Sequence, residues 1–393
     1  MLLNPGLFVP LFWVFLVFSN LAWLDQSTYH LSKGFIFYVV SLSLFCAGVS
    51  VPIMVVFRKV YTQHRYYTAK QFEKYRILRP LLQKYFVYLY SSWFILQCVN
   101  IFYSGGFPLL WLATGDGRSY TDFGIPTFSG LTFTLRNFVF CLGLILIVSR
   151  NASIAVKLMT FSIIFTAAFV ELSRGHTFFM LAHGLAVLSL YSRLRVRRFL
   201  KISGLGISLM FLFGYIQLLR YPGGYETLLE FAANNGVSGG PLMTMLSPVL
   251  LYLLIPFSNA SLNFENSAMV DIGTGYSLSG LLPSIVRDSL SLKSFELINE
   301  AHNTVTFFTP LFMDYGYMGS GLFIFFLVCI TSSIALKAKS GNIFCILVYP
   351  IFFSSLLLSF FANYFFSLTF FFYIFIAVLL ALKITKNQRS MRV

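Results

Sequence analysis

Charge is scarce in this chain: Asp, Glu, Lys and Arg together make up 10 % of its 393 residues, where soluble domains carry about a quarter. Acids are scarcest, 13 against 28 Lys and Arg. The five cysteines, Cys46, Cys98, Cys141, Cys329 and Cys345, all fall in apolar runs, so neither a disulfide framework nor metal-ligand spacing is offered. No Asp-x-Asp pair faces outward, since Asp116-Gly117-Arg118 breaks that spacing. A divalent ion needs more carboxylate oxygen than any local cluster supplies, so neither a metal nor another cofactor is expected. The first apolar run has no basic residues before it and no small-residue cleavage site after it, and reads as a retained anchor rather than a secretory signal.

What is present is hydrocarbon. Hydrophobic residues reach 58 % and the mean hydropathy is +0.79. Runs long enough to cross about 30 Å of lipid as helices lie at 7–24, 35–57, 85–103, 127–149, 153–172, 177–192, 202–219, 319–336, 343–361 and 365–382. The expected fold is an all-α polytopic membrane protein of about ten transmembrane helices, organised as one integral membrane domain. Seven spans occupy 1–219, a long extracytoplasmic loop 220–303, and three C-terminal spans 304–393.

Orientation follows from the basic residues, because Lys and Arg are retained in the cytoplasm. The loop 58–84 holds eight of them, and with Arg150, Lys157, the cluster Arg193 to Lys201, Lys337, Lys339 and the tail the total is 21 of 28. Ten spans place all of these, and both termini, in the cytoplasm, with Glu73 the single acid among them. The net charge of +15 is thereby explained by short loops between spans, and no nucleic-acid partner is expected.

Within the outer loop, the apolar run 243–257 is interrupted by Pro248 and Pro256. About fifteen residues are too few for an ordinary span, so an interfacial or re-entrant helix is expected. Crossing would reverse the parity and expel the basic tail. Inside the spans, Arg136 is the clearest charge, with Glu171 near an outer end. No acidic relay is evident, which argues against an ion-coupled transporter.

Three arginines lie near the outer boundary: Arg174 in Ser173-Arg174-Gly175-His176, Arg220 in Arg220-Tyr221-Pro222-Gly223, and Arg287. Guanidinium groups suit a diphosphate, or snorkel beside a helix end. Glu300, His302, Asn303, Thr304 and Thr306 crowd just ahead of a span, followed by Asp314. A histidine there has the ordinary pKa of a general base, with Glu300 as competitor. Asp314 is either a catalytic group or the partner of an outer arginine. Tyr221, Tyr225, Tyr276, Trp111 and Tyr120 offer stacking faces for sugar, or form an interfacial belt.

The run His302-Asn303-Thr304-Val305-Thr306-Phe307-Phe308, then Asp314-Tyr315-Gly316-Tyr317-Met318-Gly319, resembles the C-terminal signature of Wzy-type oligosaccharide repeat-unit polymerases, the bacterial O-antigen and capsule polymerases. Ser173-Arg174-Gly175 and the long outer loop are similar to the same family. The resemblance implies a GT-C-like membrane glycosyltransferase of polysaccharide or lipopolysaccharide biosynthesis in the bacterial cytoplasmic (inner) membrane. It would transfer a growing glycan from undecaprenyl diphosphate to the non-reducing end of a new lipid-linked repeat unit, working beside a flippase and a chain-length regulator. An O-antigen ligase and a lipid-linked saccharide flippase are the alternatives. The paired arginine-to-glycine loop motifs of some members are absent, Phe231 and Ile298 standing where glycine would be. The residues expected to act are His302 and Glu300 as base, Arg174, Arg220 and Arg287 on the diphosphate, and Asn303, Thr304, Tyr221 and Asp314 in support.

Overall fold

In lipid no water satisfies backbone N–H and C=O groups, so apolar runs of this length close their hydrogen bonds within helices. The computed structural model describes residues 4–63, 65–118, 122–149, 152–171, 173–191, 225–237, 240–266, 275–282, 295–298 and 304–390, with backbone alone for 53–79. Twelve α-helices occur among them. They are α1 (Pro5–Trp23), α2 (Lys33–Gln63), α3 (Arg65–Tyr103), α4 (Pro108–Thr114), α5 (Phe128–Val148), α6 (Ile154–Phe165) and α7 (Arg174–Tyr191), then α8 (Tyr225–Asn234), α9 (Pro241–Asn266), α10 (Phe308–Lys339), α11 (Ile343–Leu357) and α12 (Leu368–Ser390). Among the described residues eight segments are long and apolar enough to cross a membrane, and α6 and α7 are shorter apolar helices. The chain is an all-α, multi-pass membrane protein. The expected span 202–219 lies outside the described residues.

Local chemistry sets the helix ends. Asn4 accepts a hydrogen bond from the Gly6 N–H at 2.9 Å ahead of α1, with Pro5 at the first helical position, and Asn342 caps α11 through the Cys345 N–H at 3.1 Å. Such caps satisfy donors the helix leaves open. The expected loop 58–84 is instead helical, α2 running to Gln63 and α3 starting at Arg65. Its Lys, Arg, Gln and Glu residues are good helix formers, and hydropathy marks only where lipid ends. Helix α10 begins eleven residues before the expected span, with a break at Gly316 (φ 63°). That left-handed conformation suits only glycine readily.

Helices α5 and α11 are the most buried, α5 packing on α3, α6, α7 and α12, and α11 on α7, α10 and α12. Around the perimeter large apolar side chains point outward, Phe102 being 90 % exposed. A surface of that kind would aggregate in water, and marks the face that meets lipid.

The long segment after residue 220 is not merely a surface loop. Helix α9 spans 26 residues, far beyond 243–257, and is buried against α1, α2 and α10. Its neighbours belong to one end of the bundle, the end where α1 passes into α2. Just before it, the Asp25 N–H donates to the Gly236 carbonyl at 3.1 Å. Along it, Asn20 Nδ2 donates to the Leu254 carbonyl (3.0 Å) and to Ser258 Oγ (2.9 Å), and the Ser32 N–H to Ser261 Oγ (2.7 Å). Near its end, Tyr317 Oη donates to the Phe264 carbonyl at 2.9 Å. Length and hydropathy would let α9 cross; these partners tie its second half to the ends of α1 and α2 and to α10, and Pro248 and Pro256 lie inside it, where proline lets a helix bend. The run looked short from sequence because Ser258, Asn259, Ser261 and Asn263 ended the apolar count, whereas here those polar side chains are buried and bonded.

Candidate functional site

Two pieces of the sequence carry the family resemblance, and α9 draws them to the same end of the bundle. Tyr252 of α9 stacks on Phe178 of α7 and on Phe361, with ring centroids 5.9 and 4.2 Å apart. A Cβ on Gly175 would lie 3.3 Å from Tyr252 Oη, so the start of α7 sits close against α9. Seven residues further along α9, roughly 10 Å of helix, Asn259 Oδ1 accepts from the Ile298 N–H (3.1 Å) and its Nδ2 donates to the Thr304 carbonyl (2.9 Å). One buried amide thus holds both flanks of 299–303. Asn263 and Glu296 reinforce it through bonds of 2.7 and 3.1 Å.

Of the residues expected to act, Arg220, Tyr221, Arg287, Glu300, His302 and Asn303 lie outside the described residues, as does Tyr120, and the side chain of Arg174 does too. Arg174 begins α7. Thr304 is held by its carbonyl, as above. Asp314, 3 % exposed, accepts from the Tyr276 N–H (2.8 Å), the Ser277 N–H (2.6 Å) and Ser277 Oγ (2.5 Å), and so anchors the turn 275–282. Charged hydrogen bonds contribute about 1.5–3 kcal/mol each. Asp314→Ala is therefore expected to lower the melting temperature of purified protein in detergent by several degrees, where an isosteric Asp314→Asn loses less.

Two of the aromatic faces are already used. Trp111 is buried, with the Arg118 guanidinium 4.3 Å over its ring. Arg118 also bonds Asp116 at 2.5 Å, which holds that carboxyl below its ordinary range. Tyr276 is buried with Phe295 at 5.3 Å, whereas Tyr225 is exposed.

A further buried polar cluster among the described residues has no spacing signal in the sequence. Arg136, 1 % exposed in the middle of α5, places Nη1 2.5 Å from Glu171 Oε2. The same oxygen lies 2.7 Å from His176 Nδ1, and Glu171 Oε1 accepts from Gln97 Nε2 at 3.0 Å. His176 stacks on Phe133 at 4.2 Å. Glu171 follows a π-helical turn, Thr166–Val170, a feature frequent at functional sites. The cluster borders a cleft of about 380 Å³ lined by Gln97, Asn100, Ser129, Phe133, His176 and Thr369 among others. An intramembrane arginine is by itself a pointer to function, but its partner lies 35 residues away, at the bend between the π-helical turn and α7.

Neither a family model, nor a curated protein, nor a solved structure matches this chain.

Proposed function

We propose that the protein polymerises lipid-linked oligosaccharide repeat units on the outer face of the bacterial cytoplasmic membrane, moving a growing glycan from undecaprenyl diphosphate to a new lipid-linked unit. The observation that carries this reading is the convergence of Ser173-Arg174-Gly175 and the segment from Thr304 to Gly319 at one end of the bundle, through α9. Chemistry at a membrane edge suits a substrate whose prenyl chain stays in lipid while its sugars stand in water. The departing diphosphate needs fixed cations, the role assigned to Arg174, Arg220 and Arg287. The acceptor hydroxyl needs a proton acceptor within hydrogen-bond reach.

Deleting the gene is expected to leave the surface glycan at a single repeat, with long chains restored by the wild-type copy. Long lipid-linked polymer that is never attached would instead identify a ligase, and repeat units retained in the cytoplasm a flippase. In the same background Asn259→Leu is expected to shorten the glycan sharply. It removes both bonds that hold the flanks of 299–303, each contributing roughly 1 kcal/mol, and leaves an apolar side chain of similar volume. Unaltered chain length would separate that segment from the reaction.

A further inference from the structure

Glu171 is buried between a guanidinium and an imidazole, and the imidazole is the member of the three that reaches out. The Arg136 and Glu171 side chains are 1 % and 7 % exposed, against 39 % for His176. A carboxylate paired with arginine can only accept, so the bond between His176 and Glu171 is donated by Nδ1–H. That fixes the tautomer and leaves the lone pair on Nε2. Phe133 holds the ring plane, and Gln97 and Arg136 hold the carboxylate. A base oriented by a third group is the arrangement that activates hydroxyl nucleophiles in unrelated enzymes.

The cleft beside it has the chemistry to hold a sugar. Its lining offers amides and hydroxyls from Gln97, Asn100, Ser129 and Thr369 together with the Phe133 ring. At about 380 Å³ it lies at the small end of ligand pockets, the size for the terminal sugars of one chain.

We propose that this cleft binds the acceptor end of a lipid-linked repeat unit and that His176 is the general base of the transfer, with Glu171 as its positioning residue. This rests on the polymerase reading above. The acceptor hydroxyl gives its proton to His176 Nε2 as its oxygen bonds to the anomeric carbon of the growing chain. The bond from that carbon to the diphosphate oxygen breaks, and the electron pair leaves on undecaprenyl diphosphate. On this assignment His302 is not the base.

The test uses membranes of the deletion strain carrying each variant, supplied with the lipid-linked repeat units that this strain accumulates. His176→Gln is expected to slow chain extension by about a hundredfold or more, with the loss in kcat and KM changed by less than about threefold. Gly130→Leu provides a second variant should His176→Gln accumulate poorly. Gly130 lines the cleft and a Cβ there meets nothing within 4 Å, so leucine at this position is expected to fill the cleft and abolish extension. If either variant, present at the wild-type level, extends chains within about threefold of wild type, the assignment is overturned. A loss of extension in His302→Ala with His176→Gln unaffected would overturn it too, while leaving the polymerase reading intact. That reading itself fails earlier, if the deletion strain still makes long glycan.

Discussion

Replacing Arg136 by Met is expected to cost about 3–5 kcal/mol of stability, the penalty for leaving the buried Glu171 carboxylate without its countercharge. Arg136 contributes one nitrogen to Glu171, while its Nε and Nη2 are buried without a hydrogen-bond partner among the described residues. Burying a guanidinium with two of its nitrogens unpaired is costly, so the pair adds little net stability over an apolar replacement. The double variant Arg136→Met with Glu171→Gln removes both charges and is expected to recover most of the loss, read as monodisperse protein remaining after heating in detergent. Chain extension is not expected to recover with it. Gln in place of Glu171 still accepts from His176 but cannot stabilise the imidazolium formed when the proton is taken. Stability restored without activity separates the two roles of the cluster. Equal recovery of both would make the arginine and the carboxylate a packing unit, and a double variant no more stable than the single one would show that the charges are not the cause.

The transmembrane fold is legible in the sequence wherever hydropathy alone decides the outcome. The runs at 7–24, 35–57 and 127–149 correspond to α1, α2 and α5 within a few residues, apart from the helical extension of α2 beyond its apolar part. Hydropathy misplaces α9 and α10 for one physical reason. Both bury polar side chains against other polar groups, Asn259, Ser261 and Asn263 in α9 and Asp314 in α10, and a residue that is satisfied by a distant partner looks like a loop residue when read by itself. The break at Gly316 is visible only as a glycine, since nothing in the sequence distinguishes it from Gly319 or Gly321, which remain helical.

The site divides in the same way. Ser173-Arg174-Gly175 and the Asp314 segment are recognisable as motifs, yet the structure gives Asp314 a turn to hold. Arg136 and Glu171 were each visible as charges out of place, but not as a pair. Their meeting depends on how α5 packs against the π-helical turn and α7, and in the sequence His176 is only the last residue of a boundary motif. A pairing between helices leaves no spacing signal, and a carboxylate five residues before a histidine is informative only once a turn folds one back on the other, here to 2.7 Å.

The sharpest topological result expected is all-or-none. Cysteines placed at Glu230 in α8 and at Glu265 at the end of α9, both exposed positions, in a background with the native cysteines replaced, are expected to react with a membrane-impermeant maleimide from the same side, in spheroplasts with the cytosol sealed. A 26-residue helix is about 39 Å long, enough to carry its two ends to opposite faces of a bilayer. Yet Gly236, ahead of α9, is bonded to Asp25, and Ser261 in its later turns to Ser32, so the chain before α9 and the later part of α9 both return to the connection between α1 and α2. The basic residues add a second constraint, because a crossing by α9 would carry Lys337, Lys339 and the C-terminal cluster outward against the retention of Lys and Arg in the cytoplasm. Labelling of Glu265→Cys from the cytosolic side alone would place α9 through the membrane. It would also put the segment that Asn259 holds in the compartment that lacks the proposed acceptor, and the polymerase reading would fall with it.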